Sequence, residues 1–151
     1  MSFDLHLDSE TVGHVGPADD KPLVCVEVGT PVREVLRQLR AANTGAAIVC
    51  RGGVVVGIFT ERDALPLLAA EADGNSGPLE RPIEEKMTAN PVTVTPETTV
   101  GEAIKLMAEG GYRRLPVIDG EGRPTGILKT SGILHYLVQA FPNVVYTLPP
   151  A

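Results

Sequence analysis

Displaced by 68 positions, the chain lies on itself: Val24, Val26, Thr30, Val32, Glu34 and Val49 fall on Val92, Val94, Thr98, Val100, Glu102 and Val117. Apolar classes agree as well, with Val35, Leu36 and Leu39 meeting Ala103, Ile104 and Met107. The turn Arg51-Gly52-Gly53 becomes Asp119-Gly120-Glu121-Gly122, one residue longer, and from there a displacement of 69 brings Gly57, Ile58, Leu65 and Leu68 onto Gly126, Ile127, Leu134 and Leu137. The 151 residues are therefore two copies of one unit, about 22–70 and 90–139, and the fold has to be one that a unit of this size builds twice.

Each copy reads as strand, helix, strand, strand, helix. Val24 to Val28 and Val92 to Val94 are short β-branched runs closed by turn residues. Thr30-Pro31 offers an N-cap followed by proline at the first helical position, and Thr99 with Glu102 makes a capping box in the second copy. Val32, Val35, Leu36 and Leu39, like Val100, Ala103, Ile104 and Met107, recur at helical spacing and give each helix one apolar stripe that needs a sheet to cover. Ala46 to Cys50 with Val54 to Phe59, and Leu115 to Ile118 with Thr125 to Leu128, are strand-length runs joined by glycine-containing turns, which predicts two β-hairpins. The closing helices run from Thr60 to about Ala70 and from Thr130 to Ala140. Residues 1–21 show no period and read as a tail, 71–86 as a linker opened by the Gly-, Asn- and Ser-rich stretch Glu71 to Glu80, 87–140 as the second domain, and 141–151 as an extended tail with prolines near both ends. The predicted class is α/β in the α+β sense.

Charge and composition exclude several functions. With 13 Lys and Arg against 19 Asp and Glu there is no basic field to neutralise phosphates along a duplex, and three Phe, three Tyr and no Trp leave little to stack on bases. No apolar run reaches the roughly 18 to 20 residues that span a bilayer, and Met1 to Pro22 carries acids and glycine where a signal peptide needs a basic start and an apolar middle. A cytoplasmic protein with neither nucleic-acid nor membrane partners is expected. Cys25 and Cys50 both sit in apolar stretches and read as small buried hydrophobes. His6, His14 and His135 lie far apart, and the chain has no His-Glu-x-x-His, Cys-x-x-Cys or nucleophile elbow, so neither a metal site nor an enzyme is expected. Gly122 to Thr130 superficially resembles a phosphate loop, but there the lysine must follow the second glycine directly, and Gly126 opens a strand.

Two features point to a ligand. A unit of about fifty residues cannot bury both faces of its sheet alone, so two copies should pack together and leave related clefts. Gly57-Ile58-Phe59-Thr60-Glu61-Arg62-Asp63 runs from a strand into a helix start, placing a hydroxyl and a carboxylate beside free backbone N–H groups. That pair suits a sugar diol at Asp63 and a phosphate at Thr60; it equally suits plain helix capping. Arg113-Arg114 stands at the entry to the apolar strand Leu115-Pro116-Val117, and guanidinium groups suit phosphate, although strand alternation turns at most one of them toward a given cleft. Two solvated edge charges are the alternative.

Met87-Thr88-x-x-Pro91-Val92-Thr93-Val94, Thr99-Val100-x-Glu102-Ala103-x-x-x-Met107, Arg113-Arg114-Leu115-Pro116-Val117-Ile118-Asp119 and Gly126-Ile127-Leu128, with Gly57 to Asp63 in the first copy, resemble the cystathionine-β-synthase (CBS) domain. The resemblance covers about 115 residues. It implies two β-α-β-β-α repeats packed with pseudo-two-fold symmetry, a regulatory module that often pairs into a homodimer, and an adenosine-containing ligand such as AMP, ADP, ATP, S-adenosylmethionine or NAD in place of any catalytic cofactor. By the same resemblance Asp63 takes the ribose hydroxyls, Thr60 a phosphate or ribose oxygen, Arg113 or Arg114 the phosphates, and Val24, Cys25, Ala46, Ala47 and Ile58 sandwich the adenine. The second copy departs from this pattern: Lys129 and Gly132 stand where the motif has Thr and Asp, and the first copy has Gly45 and Ala46 in place of the arginine pair. Both losses fall on one cleft, so one competent site per chain is expected. A ligand-free dimerisation or scaffold module is the competing function, and any output has to reach a regulated partner through an interface.

Overall fold

A computed structural model describes residues 7–15 and 22–140; the expected C-terminal tail lies outside them. In chain order the elements are α1 (Val12–Val15), β1 (Val24–Glu27), α2 (Val32–Ala42), β2 (Ala46–Arg51), β3 (Val54–Thr60), α3 (Glu61–Ala72), β4 (Thr88–Ala89), α4 (Val100–Gly110), β5 (Arg114–Ile118), β6 (Pro124–Lys129) and α5 (Thr130–Ala140). Two short 3-10 helices, Gly77–Glu80 and Ile83–Glu85, lie between α3 and β4. The chain divides into two compact units, one holding 22–92 with 118–125, the other 7–15 with 93–117 and 126–140. This is the mixed α/β architecture with two sheets that the repeat predicts.

Alternation organises the first unit. Its sheet has the order β1-β2-β3-β4, parallel between β1 and β2 and antiparallel elsewhere. Val24 lies opposite Ala47, Val26 opposite Val49, and Ala47 opposite Phe59, so these five share one face. They form a single apolar cluster with Val32, Val35 and Leu39 of α2 and Ala64 and Leu67 of α3. Cys25, Ala46, Ile48, Ile58 and Thr60 belong to the opposite face, where Ala46, Ile48 and Ile58 are buried as well. Cys25 corrects the sequence reading, being exposed while Cys50 is buried. A run such as Leu-Val-Cys-Val looks uniformly apolar, but β1 ends the sheet's strand order and its exposure alternates along its length.

The segment read as a linker is part of this unit. Leu79 is 3% exposed and Ile83 fully buried in the same cluster. Main-chain bonds secure it: the Val32 N–H, first in α2, donates to the Arg81 carbonyl at 3.0 Å, and the Ile83 N–H donates to the Thr30 carbonyl at 2.8 Å. The N-cap of α2 is Pro31 rather than Thr30, whose hydroxyl donates to the Glu27 carbonyl at 2.7 Å. Proline offers no side-chain acceptor, so an orphan donor of the first turn takes a carbonyl from elsewhere in the chain. Arg33 joins the same segment, pairing with Glu80 at 2.6 Å and lying 3.9 Å from Glu71 of α3.

Residues 7–15, read as tail, do the same for the second unit. Thr11 bridges Thr99, Val12 is 5% exposed, and the first two N–H groups of α4, at Val100 and Gly101, donate to the carbonyls of Glu10 and Leu7, both at 2.8 Å. The third, at Glu102, donates to the Thr99 hydroxyl at 3.1 Å, as the predicted cap requires. Gly101 favours this approach, since a Cβ would come 3.0 Å from the Leu7 carbonyl oxygen and the preceding segment would have to give way. The segment preceding each copy thus caps the first helix of the other copy. The copies also end that helix alike: Asn43 and Gly111, at equivalent positions, both adopt left-handed backbone with φ of 52° and 71°. One expected strand is reduced. Val92 to Val94, flanked by Pro91 and Pro96, makes only a parallel bridge of Val94 with Val117, its N–H donating to the Pro116 carbonyl. Pro116 has no N–H to return.

Candidate functional site

Thr60 ends β3 in extended backbone and is the N-cap of α3, three residues before Asp63. Both halves of a capping box are in place, and the Thr60 N–H donates to Asp63 Oδ2 at 3.1 Å. The capping reading of this pair is therefore realised. It leaves the pair's chemistry available, because a half-buried carboxylate held at the start of a helix still has acceptor positions to offer.

A residue that sequence reasoning did not place in the site completes it. Thr88 of β4 lies opposite Ile58, and its hydroxyl donates to Asp63, 3.1 Å from Oδ1 and 3.4 Å from Oδ2. β4 can approach β3 this closely because Gly57 lacks a side chain; a Cβ there would strike the Met87 thioether. The Asn90 N–H closes the pairing by donating to the Val56 carbonyl at 3.0 Å. The available signal was the Met87-Thr88 pair ahead of Pro91, but two residues are too few to show strand alternation.

The five positions expected to sandwich an adenine do not lie together. Cys25, Ala46 and Ile58 share the face that carries Thr60, whereas Val24 and Ala47 point into the cluster beneath α2 and α3. One face of a sheet cannot present neighbours in sequence to the same ligand. Apolar surroundings raise the thiol pKa of Cys25 and push that of Cys50 up to about 11, burial being the chief cause and the nearby Cys25 and Glu27 adding to it. Neither thiol is poised as a thiolate.

Arg113 and Arg114 belong to the second unit. Arg114 opens β5 and is half-buried; Arg113 precedes it and is exposed. The Arg113 carbonyl accepts the Thr130 N–H at 3.0 Å and the Thr130 hydroxyl at 3.2 Å, which fixes the start of α5. That helix has no acidic residue in its first turn, so the second copy has no counterpart of Asp63. Lys129 ends β6 and Gly132 lies within α5. Among the described residues no helix is long and apolar enough to cross a membrane.

Comparison with known proteins agrees with this architecture. The CBS domain family model matches twice, over residues 12–70 and 83–139, more than half of the chain. The CBS domain-containing protein CBSCBSPB3 of Arabidopsis thaliana is 27% identical over 125 residues, covering 83% of this chain and 22% of the relative, so the chain spans about a fifth of that protein's length. Among solved structures, the CBS-domain containing protein ATU1752 of Agrobacterium tumefaciens is 29% identical with a TM-score of 0.67, covering 83% of this chain and 96% of the other. CBSX2, solved in complex with AMP, is 26% identical with a TM-score of 0.71 and coverages of 87% and 98%. Two strand-helix-hairpin-helix copies, each matched by the family model, make this chain a tandem member of the CBS-domain family.

Proposed function

We propose that the chain is a regulatory module that senses an adenosine-containing nucleotide of the AMP, ADP or ATP class and performs no catalysis. One observation carries this reading: a half-buried Asp63 carboxylate, held by Thr60 at the first turn of α3, at the rim of the sheet face that bears Ala46, Ile58 and Cys25. Asp63 takes the ribose hydroxyls, Thr60 a phosphate or ribose oxygen, and the small apolar side chains of that face the base. The AMP bound by CBSX2 supports the ligand class. Without a counterpart of Asp63 in α5, one site per chain follows.

The module works as a homodimer in the cytoplasm and passes ligand occupancy to a regulated protein partner. Support for the second copy comes from Leu65 and Leu134, at equivalent positions of α3 and α5, which are 65% and 59% exposed, with Leu68 and Val138 exposed beside them. Free cysteines suit a reducing compartment.

Thermal unfolding tests the reading. A ligand at about 100 times its dissociation constant stabilises by roughly 2.7 kcal/mol, a rise of a few degrees in Tm for a chain of this size. The expected result is such a rise with at least one of AMP, ADP, ATP, S-adenosylmethionine or NADH, lost in Asp63→Ala and kept in Gly132→Ala. No rise with any of them at millimolar concentration favours the scaffold function. Equal losses in both variants, or two equal sites by calorimetry, overturn the single-site model. Light scattering checks the dimer, which Leu65→Glu with Leu134→Glu should dissociate.

A further inference from the structure

The geometry points to Thr88 as the residue that sets the chain's selectivity for a vicinal diol, by fixing the Asp63 carboxylate in a bidentate-ready orientation. This rests on the nucleotide reading above and adds a residue from β4 to it. An ionised carboxylate has about four lone-pair positions, two on each oxygen. The Thr60 N–H occupies one on Oδ2 at 3.1 Å, and the Thr88 hydroxyl leans on Oδ1 at 3.1 Å with a longer reach of 3.4 Å to Oδ2. One good acceptor position then remains on each oxygen, the pair that two adjacent hydroxyls require. With only the Thr60 bond, the carboxylate could turn about its terminal torsion, which is broad for aspartate; the second donor, from a different element, stops that rotation.

Thr88 is exposed, but its backbone is placed by the pairing of β4 with β3. Ile58 faces it across the β3–β4 pairing, Ala89 lies opposite Gly57, and Met87 packs where Gly57 has no side chain. Its hydroxyl donates to the carboxylate, and nothing in this arrangement requires it to touch the ligand. It is a positioning residue, and its removal should be felt through the ligand's diol alone.

The experiment titrates AMP and 2′-deoxy-AMP against the 151-residue wild-type chain, Thr88→Val and Thr88→Ser by calorimetry, with the Tm of each variant recorded to establish folding. Valine keeps the β-branched shape and removes the donor; serine keeps the donor. The expected result is that Thr88→Val weakens AMP by about tenfold, in keeping with the loss of a hydrogen bond to a charged group, and leaves 2′-deoxy-AMP unchanged. Thr88→Ser should restore the wild-type preference. Equal weakening of both nucleotides, or an unchanged preference in Thr88→Val, overturns the assignment while leaving the nucleotide reading intact. A wild-type chain that binds neither nucleotide overturns the assignment, and the nucleotide reading falls with it if ADP, ATP, S-adenosylmethionine and NADH also leave the Tm unchanged. Rescue by serine separates positioning from a packing role, which the smaller side chain would fill less well than valine.

Discussion

The Val100 N–H, first in its helix, donates to the Glu10 carbonyl at 2.8 Å across ninety residues of chain. Together with the bond from Gly101 to Leu7, it satisfies two of the orphan donors of α4 with backbone alone. Deletion of residues 1–11 should therefore expose these two amides selectively. In hydrogen exchange, Val100 and Gly101 are expected to lose protection by about tenfold, with an overall loss of about 1–3 kcal/mol from two unmade bonds. Glu102, bonded to the Thr99 hydroxyl, should change less, and Thr99→Ala should show the reverse order.

Ile83 offers a sharper test of the segment between the copies. It is fully buried in the first unit's apolar cluster although its surroundings in sequence look like linker. Ile83→Ala should cost about 2–5 kcal/mol in urea unfolding, the range for truncating a buried aliphatic side chain. A cost near zero would show that the segment detaches freely.

The two thiols should behave differently. Cys25 is exposed and Cys50 buried, so a thiol reagent at neutral pH should label one cysteine in the folded chain, slowly because its pKa is raised, and two after unfolding. Cys50 also carries a pH dependence. Its folded pKa, about 11, lies above the ordinary 9, so the stability it contributes is complete below pH 9 and is lost as pH rises through about 11. Cys50→Ala should remove that alkaline slope, at the expense of packing at all pH values.

On α2, the guanidinium of Arg37 and then the amide of Gln38 hold the Glu34 carboxyl at about 2, below its ordinary 4.5. A depressed acid stabilises the folded state above its unfolded pKa and loses that contribution as pH falls. The difference in stability between wild type and Glu34→Gln should accordingly shrink between pH 4.5 and about 2. The pair is exposed, so salt should shrink it at neutral pH too.

Local periodicity made most of the fold legible. The stripe Val32-Val35-Leu39 and the hairpins are patterns within short windows, and the elements they predict are present, while the repeat is a match at long range that carries them into the second copy. What escaped were contacts without a side-chain signature. A carbonyl of Glu10 or Arg81 that meets a distant helix start looks, in sequence, like any other carbonyl. Cys25 escaped because an apolar run does not announce that its strand ends the sheet order. The Thr60–Asp63 contact was legible because its spacing is that of one helical turn, whereas Thr88 reaches Asp63 from 25 residues away. Val24 and Ala47 were included where alternation excludes them.

Ala46 and Ala47 are consecutive, of identical chemistry and both buried, yet one faces the side of Thr60 and the other the core beneath the helices. The middle strands thus carry two interleaved sets of side chains, one packed beneath α2 and α3 and one on the face of Thr60. Every second residue of β2 and β3 can change in one set while the intervening ones go on specifying the other. One backbone serves as the back wall of both, so a change of size in either set is transmitted to the other through the thickness of a single strand.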